Sequence, residues 1–485
     1  MMASRRSAVG ILAQAVASAA LLTSFAAPAG AQAPALSAGV RKYVSVEDAV
    51  VALTHVRLVD GTGAPEREDQ TVVIDHGKIA AVGASSRVTP PPGARVIDLA
   101  GHTVIPGIVG LHDHMYYGST AGGSMRPMFF SYPKLFLANG VTTIRTTGSV
   151  DSYQELNLRK AILDGVQAGP EIVVTGPYLQ GAGSPLSPMH ALGGVDDARR
   201  MVRYWAEEGV TWFKAYTTIT RAELAAAIDE AHKHGVKVTA HLCSVGYREA
   251  VADGIDALEH GLLANSEYFP GKQPDGCPAV TDSAQYGTLD IASPDVQRTI
   301  REMVQHKVAM TSTLDVFELS TPSRVPFDQR VLDALHPDAR PSVLKFYEAG
   351  RTAKDSAARA VFRKAMEFDR AFYRAGGLLG AGSDPCCLSS MAGFGDQRNY
   401  ELLIEAGFRP EEAIKVMTLN GATALGFGSR LGSVEAGKQA DLVVLRGDVV
   451  ARPAAIRDVA MVFRQGVGYD PAKLLEAVKG LVGLR

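Results

Sequence analysis

The 485-residue chain is 46% apolar, 21% charged and 7% aromatic, the make-up of an ordinary globular protein and not of a disordered, collagenous or coiled-coil one. Its 49 lysines and arginines nearly balance 51 acids, so no basic excess argues for nucleic acid or an anionic membrane surface as partner. The length exceeds the roughly 250–300 residues at which one core stops growing, and a large domain with a smaller companion is expected.

The chain opens with Arg5-Arg6, an uncharged stretch over 8–27, and Ala31-Gln32-Ala33 before Pro34. That order reads as a secretory signal over 1–33, cleaved after Ala33, and predicts an exported, periplasmic or secreted product without a membrane anchor after cleavage; an uncleaved anchor is the alternative, since the apolar stretch is near the length of a membrane span. Next come short β-rich runs at 50–60, 71–74, 79–82 and 94–99, with a His76-Gly77 turn between the second and third. Similar runs return at 441–445 and 459–464. Together they predict a small β-sandwich built from both ends of the chain, 46–103 and 428–470, with a C-terminal helix over 471–485.

Between these ends, over 104–427, apolar runs alternate with helical stretches, the pattern of βαβ units and a parallel sheet. Eight runs occur, at 104–114, 141–146, 171–177, 211–215, 237–241, 257–260, 308–314 and 378–384. The segment 221–234, with Leu224, Ala227, Ile228 and Ala231 on one face, suits an amphipathic helix. The fold class is therefore α/β, a (β/α)8 barrel, whose catalytic residues lie at the C-terminal ends of its strands. From His260 to Asp384 the spacing is about twice the roughly 60–70 residues that two strand-helix steps require. The surplus falls in 262–294 and 318–358, and the first, which holds Tyr268, Phe269, Pro270 and Cys277, is placed to act as a lid at the active mouth.

His112-Asp113-His114 closes the first of these runs. Side chains two apart on a strand share a face, so both imidazoles point into the barrel and Asp113 points away. Lys214, His241, His260 and Asp384 each end another strand. Imidazoles and carboxylates gathered at one mouth are the donors that hold zinc and related divalent ions. An ammonium there must lose its charge, change chemically or pair with an acid; carboxylation of Lys214 by CO2 would turn it into an anion able to bridge two ions. His55, His76, His102, His232, His234, His306 and His336 fall on predicted helices, turns or sandwich segments and read as structural. His190 is left open between substrate contact and reserve proton acceptor.

The four cysteines, Cys243, Cys277, Cys386 and Cys387, are too few for a disulfide framework and form no C-x-x-C pair. One bridge is permitted, its connectivity open. Adjacent Cys386 and Cys387 are an awkward pair to join, and Cys243, on the face of His241, reads as a packed thiol.

The motifs 104–107 (Val-Ile-Pro-Gly) before His112-Asp113-His114, Phe213-Lys214, Ala240-His241, Glu259-His260-Gly261, Gly382-Ser383-Asp384 and 432–442 (Gly-Ser-Val-Glu-Ala-Gly-Lys-Gln-Ala-Asp-Leu) resemble the amidohydrolase superfamily, in its imidazolonepropionase-like and metal-dependent Xaa-Pro dipeptidase-like branch. The resemblance covers nearly everything after the leader. It implies that His112, His114 and Asp384 hold a buried ion, that His241 and His260 hold a more exposed one, and that carboxylated Lys214 bridges them. It further implies two divalent ions, zinc first among them, a bridging hydroxide as nucleophile and Asp384 as general base. Arg145-Thr146 stands where relatives often have Arg-Asp, and Leu242-Cys243 where many have a small residue and a histidine. Arg145 and Tyr216 are candidate anchors for a substrate carboxylate. The expected reaction is hydrolysis of an amide, whether dipeptide, N-acyl amino acid or cyclic amide. An esterase or lactonase using the same site and a non-catalytic metal- or ligand-binding protein are the alternatives. A small-molecule substrate is the expected partner, and oligomeric state stays open.

Overall fold

The structure, a computed structural model, describes residues 35–118, 125–183, 189–278 and 285–484; the proposed leader lies outside them. Eight parallel strands form the centre: β1 (Ile108–Asp113), β2 (Val141–Thr146), β3 (Glu171–Val173), β4 (Trp212–Ala215), β5 (Lys237–Ala240), β6 (Ala257–Glu259), β7 (Ala309–Ser312) and β8 (Leu379–Ala381). Their order is β3-β2-β1-β8-β7-β6-β5-β4, so sequence neighbours are spatial neighbours and β8 lies beside β1. Past the end of β3 the chain meets β4 through the parallel bridges Thr175↔Trp212 and Leu179↔Ala215, with Leu179 N–H donating to the Lys214 carbonyl at 2.9 Å. These links join the two ends of the strand order, as a (β/α)8 barrel requires.

The strands are short because both ends of each run are spent on other work. Helix Arg221–Lys233 begins with a reciprocal capping box between Thr220 and Glu223, which satisfies donors that a helix start leaves open. Among the described residues, no helix is long and apolar enough to cross a membrane.

A second sheet of nine strands draws on both ends of the chain. Its order runs Val44–Val46, Val467–Tyr469, Val459–Arg464, Leu442–Arg446, His102–Pro106, Val50–Leu58, Arg67–Asp75 and Lys78–Ala84, with Arg95–Asp98 beside Val50–Leu58. Ile74 and Phe463, from strands far apart in that order, share one buried core; the sheet thus curls over itself as a small sandwich. Where its edges meet, Gly77 and Gly466 both hold left-handed φ, and a Cβ on Gly466 would lie 2.6 Å from the Gly77 backbone.

Two boundaries differ from the sequence reading. The run 104–114 divides at Gly107: His102–Pro106 pairs antiparallel with Leu442–Arg446, and only Ile108–Asp113 enters the barrel. One apolar run can feed two sheets because Gly107 lets the chain pass Thr142, whose Oγ1 would lie 2.1 Å from a Cβ there. The C-terminal helix spans only Pro471–Glu476, with a glycine at 480 in left-handed backbone soon after.

The long interval after β6 is partly structured. It holds 3-10 turns at Gly261–Ala264 and Ser266–Tyr268, then helices Pro294–Gln305, Gln329–Ala334 and Arg340–Gly350 beyond.

Candidate metal centre

His112 lies on β1, Lys214 on β4, and His114, His241, His260 and Asp384 follow their strands within a few residues. The barrel geometry draws them together. His114 Nε2 is 3.0 Å and His112 Nε2 3.7 Å from the Asp384 carboxylate, and one ligand atom from each of these three residues falls within a 4.8 Å group able to hold an ion. The His112 and His260 rings are 4.4 Å apart, those of His241 and His260 4.2 Å. Lys214 Nζ is 3.0 Å from His112 Nε2. Asp113 points the other way, as strand alternation requires, and accepts the Ser383 hydroxyl at 3.0 Å.

The electrostatics favour neutral imidazoles. Burial, reinforced by the Lys214 charge, lowers His112 to about 4 and His241 to about 3. Burial likewise pulls His260 well below the usual histidine range. Lys214 is fully enclosed, and that burial brings its amine down to about 8; among the described residues it makes no ion pair. His260 Nδ1 is held by the Thr313 hydroxyl at 2.7 Å, while its Nε2 is buried without a hydrogen-bond partner. A buried nitrogen left open beside neutral imidazoles and a carboxylate fits a divalent cation, which takes that donor set.

Two of these residues sit in strained backbone. His260 and Asp384 have φ of 69° and 51°, uncommon for residues with a side chain and concentrated where function holds them.

Beneath the cluster lies a layer that the sequence reading did not assign. Glu259 accepts from His112 Nδ1 at 2.8 Å, and its other oxygen takes Arg145 Nη2 and the Thr239 hydroxyl. Burial alone would raise the Glu259 carboxyl, but Arg145 and His112 outweigh it and hold it below the ordinary carboxylate range. Fixing Nδ1 of His112 as the donor leaves the Nε2 lone pair as an acceptor turned toward Lys214 and the mouth. Arg145 is therefore not a substrate anchor: it is buried, donates also to the Leu111 carbonyl at 2.9 Å and lies against the Trp212 ring. At the second-to-last position of β2, its long side chain reaches down into the barrel instead of out over it.

Tyr216 stands edge-on to His241, with ring centres 5.1 Å apart, and remains at the mouth. Tyr178, which no motif marked, joins it at 5.2 Å, and its hydroxyl lies 3.2 Å from that of Tyr116. His190 is not brought into the cluster; it is exposed and pairs with Asp197 at 2.9 Å. Cys243 is no free thiol: it is joined to Cys277, with Cα atoms 5.0 Å apart. That bond fastens the excursion after β6 beside His241. The same excursion is held by the Ser266 hydroxyl on the Cys243 carbonyl, by the Tyr286 hydroxyl on the Asn265 carbonyl, and by Phe269 against Tyr286. So far as it is described, the excursion is an anchored wall beside His241.

A model of the amidohydrolase family matches residues 103–468, and the chain belongs to that family. Enamidase of Eubacterium barkeri is 35% identical over 86 residues, 18% of this chain and 22% of its own length. Imidazolonepropionase of Cupriavidus necator is 32% identical over 121 residues, 23% of this chain and 29% of its own. The chain thus aligns with less than a third of these curated relatives. Among solved structures, a Bifidobacterium longum protein provisionally assigned as a prolidase matches with a TM-score of 0.63 and 25% identity, over 88% of this chain and 98% of that one. A Xaa-Pro dipeptidase with methionine bound in its active site matches with a TM-score of 0.65 and 20% identity, over 87% and 100%. These matches agree with the branch that the motifs resembled, and the structures bear out the barrel and sandwich.

Proposed function

We propose that the protein is an exported, metal-dependent hydrolase of an amide bond, acting on a dipeptide, an N-acyl amino acid or a cyclic amide. The observation that carries this reading is Lys214: an enclosed amine, with no ion pair among the described residues, 3.0 Å from one imidazole of a histidine cluster. Carboxylated by CO2, it would become an anionic ligand for divalent cations, and its lowered pKa keeps part of the amine neutral for that addition. His112, His114 and Asp384 would hold one ion and His241 and His260 the other, with zinc the natural choice for such nitrogen and oxygen donors. The chemistry such ions would supply there is a lowered pKa of water, giving a nucleophile at neutral pH, and polarisation of the scissile carbonyl.

The chain's own residues do the rest. Glu259 keeps His112 in the tautomer that presents Nε2. Asp384 takes up the proton released at the attacking oxygen and returns it to the leaving nitrogen, which suits a carboxylate held at the mouth. Tyr216 offers a hydroxyl to a substrate carboxylate, and the wall fastened by Cys243–Cys277 bounds the pocket. The alignment of prolidase-like structures along the whole barrel supports a dipeptide as the first substrate to try.

The test is a panel of dipeptides, N-acyl amino acids, cyclic amides, esters and lactones, run on protein of residues 34–485 reconstituted with zinc and bicarbonate. Turnover of amides, with about two ions per chain by elemental analysis, is the expected result. Turnover confined to esters or lactones would move the reaction to that class, and metal binding without any turnover would make the chain a binding protein. Sequencing the N-terminus of exported protein checks cleavage after Ala33.

A further inference from the structure

Cys386 and Cys387 take no part in the reading above. Both are half-buried, they follow Asp384 by two and three residues, and their sulfurs lie 2.6 Å apart, well inside the contact distance of two unbonded sulfur atoms. The backbone around them is fastened on both sides. Gly118 N–H donates to the Cys386 carbonyl at 2.5 Å and Ser390 N–H to that of Cys387 at 3.0 Å. The Tyr117 hydroxyl donates to the Leu388 carbonyl at 3.0 Å, and the Ser390 hydroxyl to Asp315 at 2.6 Å. Tyr116–Gly118 follows directly on His112 and His114, so the cysteine segment is tied to the chain that carries two of the candidate ligands. Asp384 and Leu388, on either side of the pair, both hold left-handed backbone, with φ of 51° and 50°. Joining two adjacent cysteines is ordinarily hindered by the small ring it makes; here the fold already holds the sulfurs together. Cys243 and Cys277 are bonded to each other and cannot serve as partners.

We propose that Cys386 and Cys387 form a reversible thiol–disulfide site, closed by glutathione disulfide or another small disulfide, and that its state adjusts the segment carrying Asp384. One cysteine thiolate attacks a sulfur of glutathione disulfide; that S–S bond breaks and one glutathione leaves as thiolate. The neighbouring cysteine, as thiolate, attacks the protein sulfur of the mixed disulfide, and the second glutathione leaves. The protein gives up two electrons, glutathione disulfide gains them, and the two cysteine protons end on the two glutathiones. The chemistry at the sulfurs does not depend on the hydrolase reading.

The full chain, lightly reduced, desalted and treated with glutathione disulfide, can be read by tryptic mass analysis, because residues 375–398 hold both cysteines and no internal lysine or arginine. The peptide should lose two hydrogens and resist alkylation, then accept two alkyl groups after mild reduction. Two free thiols, or a lasting glutathione adduct, would overturn the site. Cys387→Ser, without a resolving thiol, should stop at one glutathione on Cys386; if it takes none, small disulfides do not reach the pair and the proposal fails. If that variant does not fold, the parent peptide decides. The link to Asp384 is read by chelator titration of zinc. Oxidised and reduced parent should differ in half-loss concentration by about threefold or more, below the effect of deleting an outer ligand partner, and Cys386→Ser/Cys387→Ser should show no difference. Equal values in the parent would overturn the link, whatever the peptide shows.

Discussion

The strand ends of the barrel and the excursion after β6 both hold side chains near the mouth, and they hold them differently. At the strand ends the backbone is fixed by the sheet. Lys214 lies in a strand that pairs Trp212↔Lys237 through Ala215↔Ala240 on one side and meets Leu179 on the other. Just past their strands, His241, His260 and Asp384 N–H donate to the Ala215, Thr311 and His112 carbonyls of neighbouring strands. His112, Lys214 and His260 are almost wholly enclosed. The excursion over 261–278 has two single 3-10 turns and relies on side-chain ties: a disulfide, hydroxyls, an aromatic contact, and the charged groups of Glu267, Lys272 and Asp275, which meet Arg248 N–H, the Ser244 carbonyl and Arg221 N–H. Damage to the ring should therefore reach the metals and the chemistry. Damage to the wall should stay with substrate choice and local stability.

The sharpest break on the ring side is Lys214→Ala. It should abolish nearly all turnover and lower bound zinc together, with partial recovery in added formate or acetate; elemental analysis beside initial rates measures both. Full activity in that variant would remove the bridging role. Asp384→Asn comes next. A group that moves a proton in the turnover step is worth about 10²–10⁴-fold, so kcat should fall by about 10²-fold or more under saturating zinc. An unchanged kcat would transfer the proton step to another residue.

The two regions also differ in how far the sequence disclosed them. The cluster of candidate ligands was readable because each member ends an apolar run, and a parallel barrel gathers such ends whatever the loops between them do. The floor was hidden by the same strand logic. Alternation puts Glu259 and His260 on opposite faces, yet His260 turns into left-handed backbone just past β6, and both side chains serve the centre from different levels. Arg145 was misplaced for a related reason: periodicity gives a face, not the depth that a long side chain reaches. The pairing of Cys243 with Cys277, 34 residues apart, depends on how the excursion folds back, which local pattern does not encode.

Glu259→Gln tests the floor. It keeps the shape but replaces the charge that meets Arg145 and orients His112, and loss of such an outer partner costs about 10–100-fold in metal affinity. Zinc should be released at correspondingly lower chelator concentration, while kcat at saturating zinc falls less than in Asp384→Asn. A variant with unchanged zinc retention would reduce Glu259 to a structural ion pair, and Arg145 with it.

The smallest effect is expected from the wall. Cys277→Ser alone would leave a free thiol at Cys243, two residues from His241, where a soft sulfur could take a zinc ion and confuse the result. The informative variant is Cys243→Ser/Cys277→Ser. Removing the bond frees a 34-residue separation, for which chain entropy gives a loss of about 2–4 kcal/mol. The remaining ties through Ser266, Tyr286 and Phe269 keep the segment from leaving altogether. Denaturant unfolding should show the lower stability, and KM should rise with a changed ranking of substrates, while zinc content and kcat on the best substrate stay near the parent values. If zinc content fell instead, the wall would have to be counted with the ring, because its fastening beside His241 would then be part of what holds the metal.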